Sequence, residues 1–173
     1  KVKDDIKLFN TFYINSLKLL TILVFPLSFL IYFASTYFVD ILFDEEWVLM
    51  SSLIKLFCVL GLLSVILIPS GILFQSIGKP KISTKLNLYL NLFTIIIIYP
   101  FTSIYGIEGV IYSLIFSVLF IYPFHYFELK NFVHFNSVII SKTILPPFIS
   151  SCTMLFFMYL FSNFIIISTL IKL

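Results

Sequence analysis

Five long stretches of this sequence contain no aspartate, glutamate, lysine or arginine. They cover residues 19–39, 56–78, 86–107, 109–127 and 143–161. Each is close to the roughly 20 residues that an α-helix needs to cross a bilayer core of about 30 Å. Barrel strands would alternate polar and apolar residues, and these stretches do not, so helices are the expected spanning structure. The chain is also 61% hydrophobic and 11% charged, which is too apolar for a soluble core of 173 residues.

The sequence therefore predicts an all-α protein, a polytopic membrane helix bundle with about five transmembrane helices and the start of a sixth. The expected helices cover approximately residues 12–39, 47–77, 84–104, 108–128 and 142–162. A turn at Ser162 and Asn163 should precede a partial helix at residues 164–173. Proline in or near every helix also predicts kinks. Because the chain begins with Lys1, without a signal segment, and ends within the sixth helix, we expect a fragment of a larger transporter that forms one membrane domain.

The loop lysines are confined to alternate connections of this predicted bundle. They are Lys1, Lys3, Lys7 and Lys18 around the start of the first helix, Lys79, Lys81 and Lys85 after the second, and Lys130 and Lys142 after the fourth. The other two loops carry Asp40, Asp44, Glu45, Glu46 and Glu108. Cytoplasmic loops hold the excess of basic residues, so the lysine side is expected to be cytoplasmic. The prediction is a multi-pass protein of the cytoplasmic (inner) membrane with a cytoplasmic N-terminus.

Three short motifs follow one another along the predicted hairpins. FDEEW at residues 43–47 opens the second helix, SIGKPK at residues 76–81 closes it, and YGIEG at residues 105–109 separates the third helix from the fourth. Their order over residues 25–129 resembles the C-terminal half of bacterial polysaccharide-unit, or O-antigen unit, flippases. These belong to the multidrug/oligosaccharidyl-lipid/polysaccharide exporter superfamily. Asp44 departs from the family pattern, which usually has glycine in this outer turn.

This resemblance implies a two-lobe transporter, with the present chain in its C-terminal lobe. The implied function is the flipping of a lipid-linked oligosaccharide or polysaccharide repeat unit across the cytoplasmic membrane for surface polysaccharide or lipopolysaccharide biosynthesis. The implied substrate is an undecaprenyl-pyrophosphate-linked oligosaccharide, beside the membrane lipid itself. Coupling to a proton or sodium gradient is implied by the superfamily alone.

Lys55 is the most unusual candidate residue, because it is a charged residue inside a predicted apolar helix. It lies two turns inside the second helix, roughly 12 Å below Trp47 at about 1.5 Å per residue. A charge at that depth usually faces a cavity or a partner. Ser51 and Ser52 share its helical face, so these three residues could line the path of an anionic substrate. A snorkelling or internally paired lysine is the alternative.

Polar side chains also form a stripe on the third helix. Asn87, Asn91 and Thr94 are spaced i, i+4 and i+7, and should therefore face protein or water, as cavity lining or as helix packing. Similar stripes are Thr21, Ser28 and Ser35 on the first helix and Gly109, Ser113 and Ser117 on the fourth. His125 and Glu128 could form a proton or metal site, although solvation at the interface explains them as well.

Two turns flank the second helix and have ordinary structural explanations. Glu46 and Trp47 belong to the outer turn, where acidic residues suit a helix N-terminus and an indole ring suits the interface. A gate or cation site there is the alternative. Gly78, Lys79 and Pro80 form the cytoplasmic turn, where glycine permits a helix to end and proline prevents it from continuing.

Other classes of protein remain open at this point. A cation-coupled multidrug exporter of the same superfamily should carry acidic residues inside its helices, and none is present away from the ends. A polyprenyl-phosphate glycosyltransferase would need a catalytic cluster in a loop, and the outer loops are short. A non-transporting membrane assembly protein is the third alternative. The sequence has no nucleotide-binding loop, metal-ligand cluster or nucleophile–base pair, so we expect no enzymatic activity, cofactor, metal or nucleic-acid partner.

Overall fold

The computed structural model describes the backbone of residues 2–44, 47–132 and 137–171, and the side chains of residues 8–44, 47–132 and 140–160. These residues form six α-helices: α1 (Val2–Leu42), α2 (Leu49–Ser64), α3 (Leu67–Ser76), α4 (Pro80–Tyr105), α5 (Ile107–Lys130) and α6 (Ser137–Ile171). No strand occurs in this part of the chain. The prediction of an all-α helix bundle is confirmed.

Four helical segments of the described chain are long and apolar enough to cross a membrane. They are Leu8–Leu42 within α1, Pro80–Tyr105, Ile107–Lys130 and Ile140–Leu160 within α6. The bent pair α2 and α3 makes a fifth span when it is counted as one. The chain is therefore a polytopic membrane helix bundle, as its hydropathy predicts.

The second span differs from the single helix predicted at residues 47–77. α2 ends at Ser64, α3 begins at Leu67, and their axes differ in direction by 44°. Pro69 explains the break, because it has no N–H for the carbonyl of Val65 and its ring crowds that carbonyl. The remaining prolines lie inside helices that continue past them: Pro26, Pro100, Pro123, Pro146 and Pro147.

The last helix also differs from the sequence prediction. A turn was expected at Ser162 and Asn163, but α6 runs without interruption from Ser137 to Ile171. Neither residue is glycine or proline, and serine and asparagine lower helix propensity only by several tenths of a kcal/mol, roughly. The end of the predicted partial helix, residues 172–173, lies outside the described residues. The first helix likewise begins at Val2, before the apolar stretch.

The helices pack in the order α6, α1, α2, α5 and α4, with α3 in contact with α1, α4 and α5. A buried cluster toward the end of the bundle that carries Lys79, Lys81, Lys85 and Lys130, its lysine-rich end, joins α1, α3, α4 and α5. Its members include Tyr13, Leu17, Phe74, Leu86 and Ile121. Most other apolar side chains face outward, and α4 has no buried residue in its most apolar window. This outward apolar surface is what a lipid environment requires.

A close approach of backbones characterises the α4–α5 hairpin. Gly106 connects the two helices with φ +61°, a conformation that L side chains rarely adopt. One turn later, Gly109 lies so near α4 that an added Cβ would be 2.2 Å from the carbonyl oxygen of Phe101. Ser113 and Ser117 are buried along the same face of α5. The stripe of small residues therefore packs α5 against α4.

Candidate functional site

Lys55 lies within the bundle with a hydroxyl as its hydrogen-bond partner. It follows Leu49, the first residue of α2, by six positions, or roughly 9 Å along the axis. Its Nζ donates to Thr36 Oγ1 on α1 at 2.9 Å. The side chain is half-buried, and no described carboxylate lies within ion-pairing distance of it. Lys55 therefore carries a charge that the described residues do not neutralise.

The serines that precede Lys55 connect α2 to its own first turn and to α5. Ser51 Oγ donates to the carbonyl of Val48 at 3.1 Å. Ser52 Oγ lies within hydrogen-bonding distance of the Leu49 carbonyl and of Glu108 Oε1, in the first turn of α5. Two hydrogen bonds thus join this part of α2 to its neighbours, Lys55 to Thr36 on α1 and Ser52 to Glu108 on α5. We refer to Thr36, Ser52, Lys55 and Glu108 as the Lys55 cluster.

The three residues of the predicted stripe on α4 have different surroundings. Thr94 Oγ1 donates to Ser117 Oγ on α5 at 2.7 Å, so it serves helix packing. Asn87 and Asn91 are exposed, and the described residues provide no hydrogen-bond partner for either amide. α4 packs mainly against α5 and α3, whereas the Lys55 cluster belongs to α1, α2 and α5. The two asparagines are therefore separate from that cluster.

The two predicted turns have the local structures that their residues favour. Trp47 is exposed and packs against the Phe43 ring at a centroid distance of 5.9 Å, while Glu45 and Glu46 lie outside the described residues. At the other turn Gly78 has φ +74°. Lys79 N–H donates to the Phe74 carbonyl at 2.9 Å and Gly78 N–H to the Gln75 carbonyl at 3.0 Å, the pattern of a Schellman cap. Pro80 then begins α4.

The break between α2 and α3 is surrounded by polar groups that the sequence analysis did not bring together. Tyr13 on α1 donates to the Ile66 carbonyl at 3.4 Å, and Tyr122 on α5 donates to the Leu63 carbonyl. Both acceptors lie next to the break, where the helical hydrogen-bond pattern is interrupted. Residues on both sides of the second span therefore stabilise the exposed backbone at the break.

His125 belongs to this same region. Its Nδ1 is 2.8 Å from Ser70 Oγ, and Ser70 Oγ also lies 2.6 Å from the Leu67 carbonyl. If the single hydroxyl proton of Ser70 is donated to that carbonyl, Nδ1 carries the hydrogen that Ser70 accepts. His125 is buried at 8% exposure and does not pair with Glu128, which instead contacts Lys85 Nζ at 3.4 Å.

A cavity of about 380 Å³ adjoins the break. Tyr13, Ser70, Tyr122, His125 and Tyr126 contribute its polar groups, and its other walls are apolar. A kink near Pro69 could be predicted from the sequence. The contact between Ser70 and His125 joins residues 55 positions apart, so no local sequence pattern indicates it.

The N-terminal part of the chain matches a known protein family. Residues 1–52 match the model of a family described as polysaccharide biosynthesis protein, a segment that includes α1, Thr36, Ser51 and Ser52. No curated protein matches the chain, and no solved structure matches it. The matched segment is less than a third of the 173 residues. It supports a role in polysaccharide biosynthesis for this multi-pass membrane protein.

Proposed function

We propose that this protein takes part in flipping a lipid-linked oligosaccharide or polysaccharide repeat unit across the cytoplasmic membrane. The observation that carries the proposal is the charge of Lys55 inside a spanning segment, with Thr36 as its hydrogen-bond partner. The family match of residues 1–52 supports the link to polysaccharide biosynthesis. The proposal assigns no catalytic step to the chain and needs no cofactor.

The energetic argument begins with the cost of a charge inside a membrane. A lysine near the centre of a spanning helix costs about 2.5–3.5 kcal/mol on insertion scales, which is an upper bound for Lys55, six residues from the start of α2. A neutral hydroxyl such as that of Thr36 satisfies one donor but does not neutralise the charge. Unit charges about 4 Å apart attract by about 4 kcal/mol at an effective dielectric constant of 20. A pyrophosphate group close to Lys55 would therefore offset the cost of placing this charge in the membrane.

The chemistry of the substrate follows from the same residue. A lysine interacts with a phosphate as a compact point charge, so it tolerates different orientations of a moving headgroup. Undecaprenyl-pyrophosphate-linked oligosaccharide has the anionic group that Lys55 would attract and a lipid tail that the apolar outer surface would tolerate. A cation in this position repels cationic drugs, which argues against the multidrug exporter.

The broken second span supplies an element that could change shape during transport. α2 carries Lys55, and the break separates it from α3 near Pro69. Interrupted helices are a recurring feature of transporters in which one part of the bundle moves against another. We propose that α2 changes its angle to α3 while the Tyr13 and Tyr122 contacts exchange. A proton or sodium gradient is the proposed source of energy, and the lysine-rich end is proposed to be cytoplasmic.

The test uses a host strain from which the full gene has been deleted. Complementation with the wild-type gene should restore surface polysaccharide, whereas Lys55→Ala should reduce it at least tenfold and cause lipid-linked precursor to accumulate on the cytoplasmic side. Lys55→Arg keeps the positive charge and should restore most of the polymer. Normal polymer and precursor levels in the Lys55→Ala strain would refute the role of this lysine.

Two control variants separate charge from structure. Thr36→Val removes the hydrogen-bond partner of Lys55 but leaves the charge, so it should preserve transport. Lys81→Ala removes an exposed lysine at the opposite end of the second span and should also preserve it. Unchanged polysaccharide in the deletion strain, with new sensitivity to cationic drugs, would favour a multidrug exporter. Loss of surface polysaccharide without accumulation of the lipid-linked precursor, in strains that contain normal amounts of each variant protein, would favour an assembly protein.

A further inference from the structure

A groove lies between α1 and α6, and its lining residues come from these two helices. Its volume is about 780 Å³, and its charged lining residues are Lys18 on α1 and Lys142 on α6. Both lysines are exposed, and neither has a carboxylate partner among the described residues. Among the described residues that line it, none is acidic. The groove therefore has a net positive charge that its own residues do not balance.

The two lysines lie at the same level of the bundle. The ring of Phe148 on α6 contacts the ring of Phe25 on α1 at a centroid distance of 6.2 Å, which sets the alignment of the two helices. Lys18 precedes Phe25 by seven residues and Lys142 precedes Phe148 by six, so each lies roughly 10 Å to the N-terminal side of this contact. They therefore face one another across the same end of the groove.

Prolines in the groove leave two backbone carbonyls without their usual helical donor. Pro26 and Pro146 line it, and they provide no N–H to the carbonyls four residues earlier, those of Ile22 and Lys142. The Asn15 side chain lines the groove next to Lys18. A ligand that fits this arrangement combines an anion for the lysines, hydroxyl groups for the carbonyls and acyl chains for the apolar walls.

We propose that this groove binds an anionic phospholipid from the leaflet at the lysine-rich end of the bundle. The phosphate lies between Lys18 and Lys142, and the acyl chains extend along Ile22 and Pro147 toward the bundle centre. Positive charge at the end of a spanning helix is known to attract anionic lipids. Two lysines on two helices around one groove define a position for one headgroup, whereas scattered surface lysines attract anionic lipids without defining one. The site is separate from the Lys55 cluster and does not depend on the proposed transport function.

The test measures lipid binding by the purified full protein in detergent, with phosphatidylglycerol as the anionic probe and phosphatidylcholine as the neutral one. Native mass spectrometry at increasing lipid concentration gives the affinity for each. The wild-type protein should prefer phosphatidylglycerol, and the double variant Lys18→Gln and Lys142→Gln should bind it at least tenfold more weakly. Phosphatidylcholine binding should change by less than twofold.

The matched control is the double variant Lys81→Gln and Lys130→Gln. It removes the same charge from exposed lysines at the same end of the bundle, outside this groove. The control should keep its preference for phosphatidylglycerol, as should Lys18→Arg with Lys142→Arg. Equal loss in both glutamine variants would show attraction to general surface charge and would overturn the site. Unchanged affinity in the groove variant would overturn it too.

A soluble competitor distinguishes the lipid from a free phosphate compound. Glycerol phosphate at millimolar concentration should not displace bound phosphatidylglycerol, because it makes no contact with the apolar walls. Displacement at that concentration would show that the groove recognises phosphate alone and would overturn the lipid assignment. If the double glutamine variant does not fold, the single variants Lys18→Gln and Lys142→Gln should each show part of the loss. Full affinity in both would contradict the proposal.

Discussion

Replacing Gly109 by alanine places one methyl group between α4 and α5. The added Cβ would lie 2.2 Å from the carbonyl oxygen of Phe101 and 2.8 Å from the Cα of Thr102. Both atoms belong to the backbone of α4, so no side-chain rotation relieves the contact. Gly61→Ala is the matched control, because its nearest new neighbour would be Ser28 Oγ at 3.9 Å, an ordinary contact.

The magnitude follows from comparing these two variants. The gain in helix propensity from glycine to alanine is about 1 kcal/mol inside α2 at Gly61 and smaller in the first turn of α5 at Gly109, so it does not reverse the order of the two variants. To relieve the clash at Gly109, the methyl and the Phe101 oxygen must separate from 2.2 Å to about 3.4 Å, which moves α5 away from α4. That movement stretches the 2.7 Å bond between Thr94 and Ser117. Overpacking of this kind costs about 1–3 kcal/mol, so Gly109→Ala should be less stable than Gly61→Ala by that amount.

The assay is equilibrium unfolding of the full protein in mixed micelles, followed by circular dichroism. The free energy of unfolding should stay at the wild-type value or rise for Gly61→Ala and should fall for Gly109→Ala. The free energy of unfolding should fall further for Gly109→Ser, because serine adds an oxygen to the Cβ that alanine introduces. Equal stability of the two alanine variants would refute the close packing of α5 on α4.

Three further substitutions test the broken span and the α4–α5 contact. Pro69→Ala restores an N–H donor at the break, so we expect a straighter second span, a free energy of unfolding higher by about 1–3 kcal/mol and slower transport; unchanged transport would remove the break from the proposed mechanism. Ser70→Ala leaves the buried Nδ1 of His125 without its hydrogen-bond partner and should destabilise the protein by about 1–3 kcal/mol. Ser64→Ala is its control, since that hydroxyl donates to the Leu60 carbonyl of its own helix, its partner among the described residues. Equal effects of the two substitutions would contradict the Ser70 contact. Thr94→Val keeps the shape of the side chain but removes the hydroxyl that donates to Ser117, so thermal unfolding should show a stability lower by about 1 kcal/mol. Unchanged stability would mean that the Thr94–Ser117 hydrogen bond is energetically neutral.

Hydropathy was sufficient to predict the bundle because each spanning helix must satisfy its own backbone hydrogen bonds in lipid. The turn at Gly78 was equally accessible, since glycine and proline act on the backbone within a few residues. The sequence was less informative about the second span. Pro69 indicated a kink, but the hydrogen bonds of Tyr13 and Tyr122 at the break join distant parts of the chain.

The candidate site was predicted only in part, for a related reason. Lys55 could be singled out because any charge inside an apolar helix is unusual, whatever surrounds it. The asparagines of α4 could not be oriented from their spacing alone, because every face of that helix is rich in apolar residues and many of these are exposed. The order of the helices in the bundle determines which face of α4 contacts protein. The pattern of residues along one helix does not predict this order.

Transport by the reconstituted full protein is the most direct test of the central claim, that Lys55 attracts the anionic group of a lipid-linked saccharide during its passage. Vesicles would contain a pyrophosphate-linked saccharide lipid whose outer-leaflet fraction is measured with an enzyme that cannot cross the membrane. The wild-type protein and Lys55→Arg should make the inner-leaflet lipid accessible, and Lys55→Ala should do so at least tenfold more slowly. Equal rates for wild-type protein and Lys55→Ala would contradict the account.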